Sequence, residues 1–227
     1  MHIFIDIETI KTDNQAIIDD IAEGVTHPGN IKKAESIEAW NKDKKPQAVA
    51  DAVAKTSFDG GAGQIIAFSC AVDDGEILSL WRNKDKSEAD LLNEINEVLS
   101  KSLLYSGQNS KVVRPATWVA HNGTGFDFRF LWKRFIVNNI RPCVKIPYDA
   151  KPWSNDVYDT MTEWGGFGSD RKSMDFVCKA LGIEGKGDMD GSKVGAAWEA
   201  GEYDKIGLYC GDDVDKLRQI WKRMTFK

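Results

Sequence analysis

Residues 4–9 read FIDIET, and with Ile3 in front they alternate without a break. A strand turns successive side chains to opposite faces, so Ile3, Ile5 and Ile7 share one face while Phe4, Asp6 and Glu8 share the other. The isoleucines predict a strand set into a core. The opposite face then carries two carboxylates whose Cα atoms are about 6.5–7 Å apart. Like charges at that spacing, on a strand with a buried face, repel each other and resist desolvation. A cation between them relieves the conflict; a solvated strand face is the plainer alternative.

Outward from this strand, residues 11–63 are polar and lysine-containing with weak periodicity. They predict a helical or irregular excursion closed by a turn at FDGGAG (58–63). QIIAFSCAV (64–72) predicts a buried strand, DDG (73–75) a turn and EILSLW (76–81) a third strand, a hairpin arrangement. Ser87 and Asp90 have capping-box spacing ahead of an amphipathic helix over 88–104, with Leu91, Leu92, Ile95, Val98 and Leu99 on its apolar face. TWVA (117–120) predicts a short buried strand. A helix over 125–139 points Phe128, Leu131, Trp132 and Phe135 inward, and VYDTM (157–161) predicts a short fifth strand. Ser173 opens a helix that ends before Gly182, and a last helix spans about 202–223. Hairpin-linked strands come first and crossover-linked strands later. The expected class is α/β: a mixed central sheet of about five strands, the first three antiparallel, flanked by helices. A length of 227 residues suits a single domain over 1–227 that carries the excursion.

Composition excludes several classes. No apolar run approaches the roughly 20 residues needed to span a bilayer, and no charged leader precedes an apolar stretch. Cys70, Cys143, Cys178 and Cys210 are widely spaced, with no CxxC pair, which argues against a zinc site or a disulfide framework. Buried free thiols fit a reducing cytoplasm. A net charge of −5 is unlike a protein that coats DNA non-specifically, yet compatible with an enzyme that meets nucleic acid at one local groove. Bound divalent cations would offset clustered acids.

Two more acids and a tyrosine complete the candidates. Asp127 ends HNGTGFD (121–127) and enters the first turn of a helix, where the macrodipole alone would favour an acid. Tyr209 and Asp213, in YCGDD (209–213), are four apart on a helix and share a face. Asp212 points about 100° away, toward solvent. Hard oxygen ligands without His or Cys suit Mg²⁺ or Mn²⁺. Two such ions about 3.5–4 Å apart can activate a water and stabilise the leaving oxygen at phosphorus.

With Asp6-x-Glu8, then Asn122 followed after three residues by Phe126-Asp127, then Tyr209 followed after three residues by Asp213, the chain resembles the DEDD 3′–5′ exonucleases. It resembles their tyrosine branch (DEDDy): the histidine branch places His five residues before the last Asp, where this chain has Leu208. The nearest likeness is to stand-alone exonucleases related to the proofreading domain of family-B DNA polymerases, in TSFDGGAGQII (56–66), VYDTM, MDFVCKALGI (174–183) and GSKV (191–194). The resemblance implies a ribonuclease H-like fold and a single 3′–5′ exonuclease domain. It implies that Asp6 bridges two metal ions, that Glu8 and Asp213 complete the nucleophile-side site, that Asp127 holds the other ion largely through water, and that Tyr209 orients the attacking water. The expected substrate is the 3′ end of single-stranded DNA, released as nucleoside 5′-monophosphates, with RNA as an alternative. Any replication or repair partner would be a separate protein.

Substrate contacts are expected at Thr9 and Ile10, beside the terminal 3′-hydroxyl and last base, and at His121, Asn122 and Phe126. Structural roles compete at each. Trp153 and Trp164 are candidates for base stacking or for the core. Lys42, Lys44, Lys45, Lys133, Arg134, Arg171 and Lys172 could guide phosphates or be plain surface charge. Lys216, Arg218, Lys222 and Arg223 are expected on the outer face of the last helix. Asp159 is read as structural, and DMDG (188–191) lacks the remaining ligands of a calcium loop. A phosphatase-like enzyme is the competing enzymatic class, because an Asp-x-acid pair after a first strand also begins such sites. A catalytically dead nucleic-acid-binding module is disfavoured by the presence of all four acids.

Overall fold

The computed structural model describes residues 1–106, 111–151, 154–166, 170–185 and 187–227. Five strands form the main sheet in the order β3-β2-β1-β6-β7. They are β1 (His2–Ile10), β2 (Gln64–Val72), β3 (Leu78–Trp81), β6 (Thr117–Ala120) and β7 (Val157–Asp159). The first three run antiparallel; β6 pairs parallel to β1, and β7 parallel to β6. This is the mixed sheet, its first three strands antiparallel, expected from hairpins first and crossovers later.

The isoleucine face of β1 behaves as its period dictates. Ile3, Ile5 and Ile7 are buried with Phe68 under α4 (Glu88–Leu103) and α5 (Asp127–Val137), against Leu91, Leu92, Ile95, Phe128 and Leu131. Phe4 faces the other way, onto α7 (Met174–Leu181) and α9 (Tyr203–Met224), with Val177, Val214, Leu217 and Ile220. Both faces of the sheet are therefore covered, and β2 is buried along nearly its whole length. A buried ion pair locks the first face. The Arg134 guanidinium grips Glu88 through two bonds of 2.9 and 2.6 Å and donates to Gly60 O at 3.1 Å, while Glu88 also accepts from Ile65 N at 2.7 Å. Helices, strand and the FDGGAG turn meet at this one carboxylate.

The excursion is helical: α1 (Gln15–Gly24), α2 (Ala34–Asp43) and α3 (Lys45–Ala54), then a 3-10 turn at Lys55–Phe58. Neither α1 nor α2 buries a residue. The excursion is tied to the sheet at its end, where Thr9 Oγ1 donates to Ser57 O at 2.7 Å and Thr12 N to Thr56 Oγ1 at 2.8 Å. The Ser87–Asp90 capping box forms as expected.

Four expectations are corrected. The third strand starts at Leu78, two residues late. VYDTM is strand only to Asp159. Its carboxylate accepts from Met161 N and Thr162 N and so starts a helix, α6 (Thr160–Gly165). A two-stranded hairpin, β4 (Leu104–Ser106) with β5 (Lys111–Val113), was not anticipated; three-residue strands leave too few positions for a period to show. Arg134 and Lys216 are buried in ion pairs instead of standing on the surface. Among the described residues, no helix is long and apolar enough to cross a membrane.

Candidate active site

The register of β1 decides where its acids can go. Its last partner on β6 is Phe4, opposite Val119, and β6 ends at Ala120. Beyond that point the β6 side of β1 is open. The 121–127 loop and the first residue of α5 fill the gap, and Asp127 accepts a hydrogen bond from the Ile7 backbone N–H. On the even face, α9 lies across β1, β2 and β3. Its closeness is set by glycine: a Cβ on Gly207 would lie 2.3 Å from the Trp81 ring, and one on Gly211 2.6 Å from Ser79 Oγ. The approach presses Tyr209, Cys210 and Asp213 onto the strand that carries Asp6 and Glu8. Cys210 Sγ donates to Asp6 O at 3.4 Å.

Asp6, Glu8 and Asp213 thus converge, with one carboxylate oxygen of each lying within 4.8 Å of the others. Glu8 and Asp213 are buried, and Asp6 Oδ2 is buried without a hydrogen-bond partner among the described residues. Burial, then the charges of Glu8, Asp127 and Asp213, hold the Asp6 carboxyl well above the usual carboxylate range. Asp127 stands outside the trio but is close enough to act on Asp6. Its own carboxyl is pushed up to about 7, chiefly by burial, with a smaller push from Asp159 and with backbone N–H groups pulling the other way. The Tyr209 phenol is raised by burial, by the surrounding acids and by donating its hydroxyl to Asp213, so it stays a neutral donor. An orphaned carboxylate oxygen among converging acids is what a hard divalent cation would satisfy, and the donor set fits one.

Asp159 organises the 121–127 loop. Its Oδ1 accepts from Asn122 N at 2.9 Å, and its Oδ2 from Thr124 N at 3.0 Å and Thr124 Oγ1 at 2.7 Å. Asn122 adopts a left-handed backbone, with φ of 66°. His121 turns both ring nitrogens inward, 2.9 Å from Thr160 Oγ1 and 2.9 Å from Lys172 O. Phe126 packs against Phe130, with ring centroids 5.3 Å apart. These contacts fix the loop that delivers Asp127.

Thr9 and Ile10 line a cleft of about 950 Å³ that begins one residue beyond Glu8, and Ile10 is itself buried against Ile66 and Trp198. The end of the excursion, with Lys55 and Phe58, forms one wall, and Ala196 and Trp198 form the other. Lys11 and Lys84 also line it. Trp164 packs partly buried against the core below α9. Trp153 lies outside the described residues. Lys133 pairs with Asp59 at 2.6 Å and Lys172 with Asp170 at 2.6 Å. Asp190 of DMDG caps the 3-10 turn at Gly191–Lys193, which leads into α8 (Val194–Glu199).

Two residues at the site carried no decisive sequence signal. Lys216 approaches Asp213 Oδ1 at 3.7 Å and pairs more closely with Asp212. Burial works against its charge, but Asp212 and Asp213 outweigh burial and hold its ammonium above the ordinary range. Its spacing from both acids on one helix was the available signal. Cys210 gave none beyond its place between Tyr209 and Asp213.

A comparison with curated protein sequences finds no match. Among solved structures, the chain is similar to the family B DNA polymerase of the hyperthermophilic archaeon Pyrobaculum calidifontis, with TM-score 0.58 and 13% identity, over 99% of this chain and 24% of that one. It spans about a quarter of the polymerase's length, and the likeness is one of fold. Weaker similarities are to a nuclease in its apo form (TM-score 0.45, 13% identity, 99% of this chain and 72% of that one) and to product-bound exonuclease I (TM-score 0.41, 13% identity, 94% and 45%). The family described as "Predicted 3'-5' exonuclease related to the exonuclease domain of PolB" matches residues 62–226, a stretch that holds Asp127, Tyr209 and Asp213 and starts after Asp6 and Glu8. Since that match covers well over half of the sequence, the chain belongs to this family of PolB-related 3′–5′ exonucleases.

Proposed function

We propose that this protein is a divalent-metal-dependent exonuclease of the tyrosine branch that shortens single-stranded DNA from its 3′ end, releasing nucleoside 5′-monophosphates. The observation that carries the proposal is the meeting of Asp6, Glu8 and Asp213 oxygens within 4.8 Å, inside a chain of this family. The orphaned Asp6 Oδ2 supports it. Residues 1–227 act as one domain in this reading, because β1 is the middle strand of the sheet and supplies half of the acids.

Asp6, Glu8 and Asp213 would hold one Mg²⁺ or Mn²⁺ ion, and Asp127 with Asp6 a second. Ions held there supply positive charge to the scissile phosphate and make a bound water more acidic. The chain's own residues do the rest. Tyr209, kept protonated among acids, offers a hydroxyl that can orient the attacking water. Rigid anchoring of Asp6 by β1 and of Asp127 by the Asp159-braced loop keeps the carboxylates in place without reorganisation. The cleft at Thr9 and Ile10 gives the 3′-terminal nucleotide a place beside the acids, with Lys11, Lys55 and Lys84 near its phosphates. A frayed single strand can enter such a cleft. Asn122 and Phe126 act here through the loop, and His121 through Thr160 and Lys172. In this reading the enzyme works in a reducing cytoplasm, and replication or repair proteins would be separate partners.

The test is a gel assay on end-labelled single-stranded DNA and RNA with Mg²⁺, Mn²⁺ or chelator. The expected result is stepwise 3′ shortening of DNA that chelator stops, that Asp6→Ala and Asp213→Ala abolish, and that Tyr209→Phe slows by less. Faster degradation of RNA would transfer the reading to an exoribonuclease. Near-normal activity of either alanine variant would overturn the site.

A further inference from the structure

Lys216 is a charged side chain sealed inside the protein, 4% exposed, one helical turn beyond Asp213. Its ammonium bonds closely to Asp212 and forms a longer ion pair with Asp213, two carboxylates of unlike setting. Asp212 is more than half exposed, while Asp213 is as buried as the lysine and takes Lys216 at 3.7 Å through Oδ1. The spacings of three and four residues put all three on neighbouring positions of α9. A buried acid cluster needs compensating positive charge, because uncompensated buried charge is strongly destabilising. Lys216 is the cation that the described ion pairs place on a member of the cluster.

We propose that Lys216 is a resident counter-cation of the acid cluster: it holds Asp213 when no divalent ion is bound, and it competes with that ion for the same carboxylate. Asp212 sets the balance by drawing the ammonium toward the surface. Lys216 is therefore a positioning residue that tunes metal affinity. The inference rests on the metal-binding reading of the acids and adds to it a residue outside the four-acid pattern.

The experiment measures Mn²⁺ binding by isothermal titration calorimetry on chelator-stripped protein, together with the melting temperature of the metal-free form. Lys216→Met keeps the length of the stem and removes the charge. It should lower the metal-free melting temperature and tighten Mn²⁺ binding by at least about tenfold, the bulk-water limit for removing a unit charge about 6 Å from a divalent ion. Asp212→Asn should act in the opposite sense: with its outer partner gone, Lys216 presses on Asp213 and Mn²⁺ binds several-fold more weakly. Asp212 is exposed, so this variant keeps the test alive if Lys216→Met fails to fold. Wild-type binding that Asp6→Asn abolishes secures the underlying site, and absence of Mn²⁺ binding by the wild type would sink both readings. With wild-type binding intact, unchanged dissociation constants in both variants, or weaker binding by Lys216→Met, would overturn this inference alone.

Discussion

Asp159→Ala separates the scaffold from the chemistry, because Asp159 holds the loop that delivers Asp127 without being one of the converging acids. Its side chain is buried and accepts from five donors: Asn122 N at 2.9 Å, Thr124 N at 3.0 Å, Thr124 Oγ1 at 2.7 Å, Met161 N at 3.1 Å and Thr162 N at 3.4 Å. Losing the helix cap on α6 costs about 1 kcal/mol. Stripping the loop N–H groups of a charged acceptor costs about 1.5–3 kcal/mol more, part of which water entering the space recovers. A total of about 3 kcal/mol in a chain of this size lowers the melting temperature by about 6–12 °C. Asp127 shifts with its loop, and a displacement of about 1 Å in a catalytic group can cost on the order of 100-fold. The assay is a thermal melt by circular dichroism beside steady-state kinetics on a single-stranded oligonucleotide. The loss should fall on kcat, because the cleft at Thr9 and Ile10 is untouched. Asp159→Asn keeps the volume and one acceptor and should fall between the two. A variant that melts within about 1 °C of wild type with full kcat would refute the idea that this carboxylate braces the site.

Gly207→Ala would drive a Cβ to 2.3 Å from the Trp81 ring, pushing α9 off the sheet; overpacking of this kind costs about 1–3 kcal/mol, and a denaturant melt should show it together with reduced activity. Glu88→Ala leaves the Arg134 guanidinium buried without its carboxylate and should cost about 3–5 kcal/mol, read as a lower urea midpoint at unchanged slope. For pH, the sign follows from Asp127, whose carboxyl is held at about 7 in the fold against 3.8 ordinarily. Ionising it penalises the metal-free fold fully above pH 7, and the penalty fades as pH falls from 7 toward 4. Chelator-treated protein should therefore melt higher at pH 5.5 than at pH 8, and added Mn²⁺ should raise the melting temperature more at pH 8.

Where sequence reading succeeded, it did so through local rules that the fold had no reason to break. Ile3, Ile5 and Ile7 alternate because one side of β1 is core, and Ser87–Asp90 caps a helix because three-residue spacing brings the groups together. Where a choice depended on contacts between distant segments, it failed or stayed silent. Asp159 reads as structural in the sequence, but it meets Asn122 and Thr124 across 37 and 35 residues, so the loop that it braces had no local trace. VYDTM looked like strand throughout because Val, Tyr and Thr favour strands, yet the Asp159 cap outweighed that preference at Thr160. Arg134 and Lys216 were placed on the surface because lone basic residues usually are, and only the fold shows that each lies against a buried carboxylate.

The same contrast explains why the acids were legible and their environment was not. A carboxylate on the face of a strand that Phe4 already commits to the interior contradicts ordinary burial, and such contradictions are expected at functional or strained sites. Glycines at 207 and 211 convert that local oddity into a constellation, since without their close packing on Trp81 and Ser79 the helix bearing Tyr209 and Asp213 would stand away from β1. In the proposed reading the acids carry the chemistry, while small residues set how near the acids stand and the Lys216 countercharge sets what they cost in the absence of metal. Substitutions at Gly207, Asp159 and Lys216 should accordingly change activity as surely as those at the acids, but through stability, loop position and metal affinity in turn, three readouts that a change in the chemical step would leave unmoved.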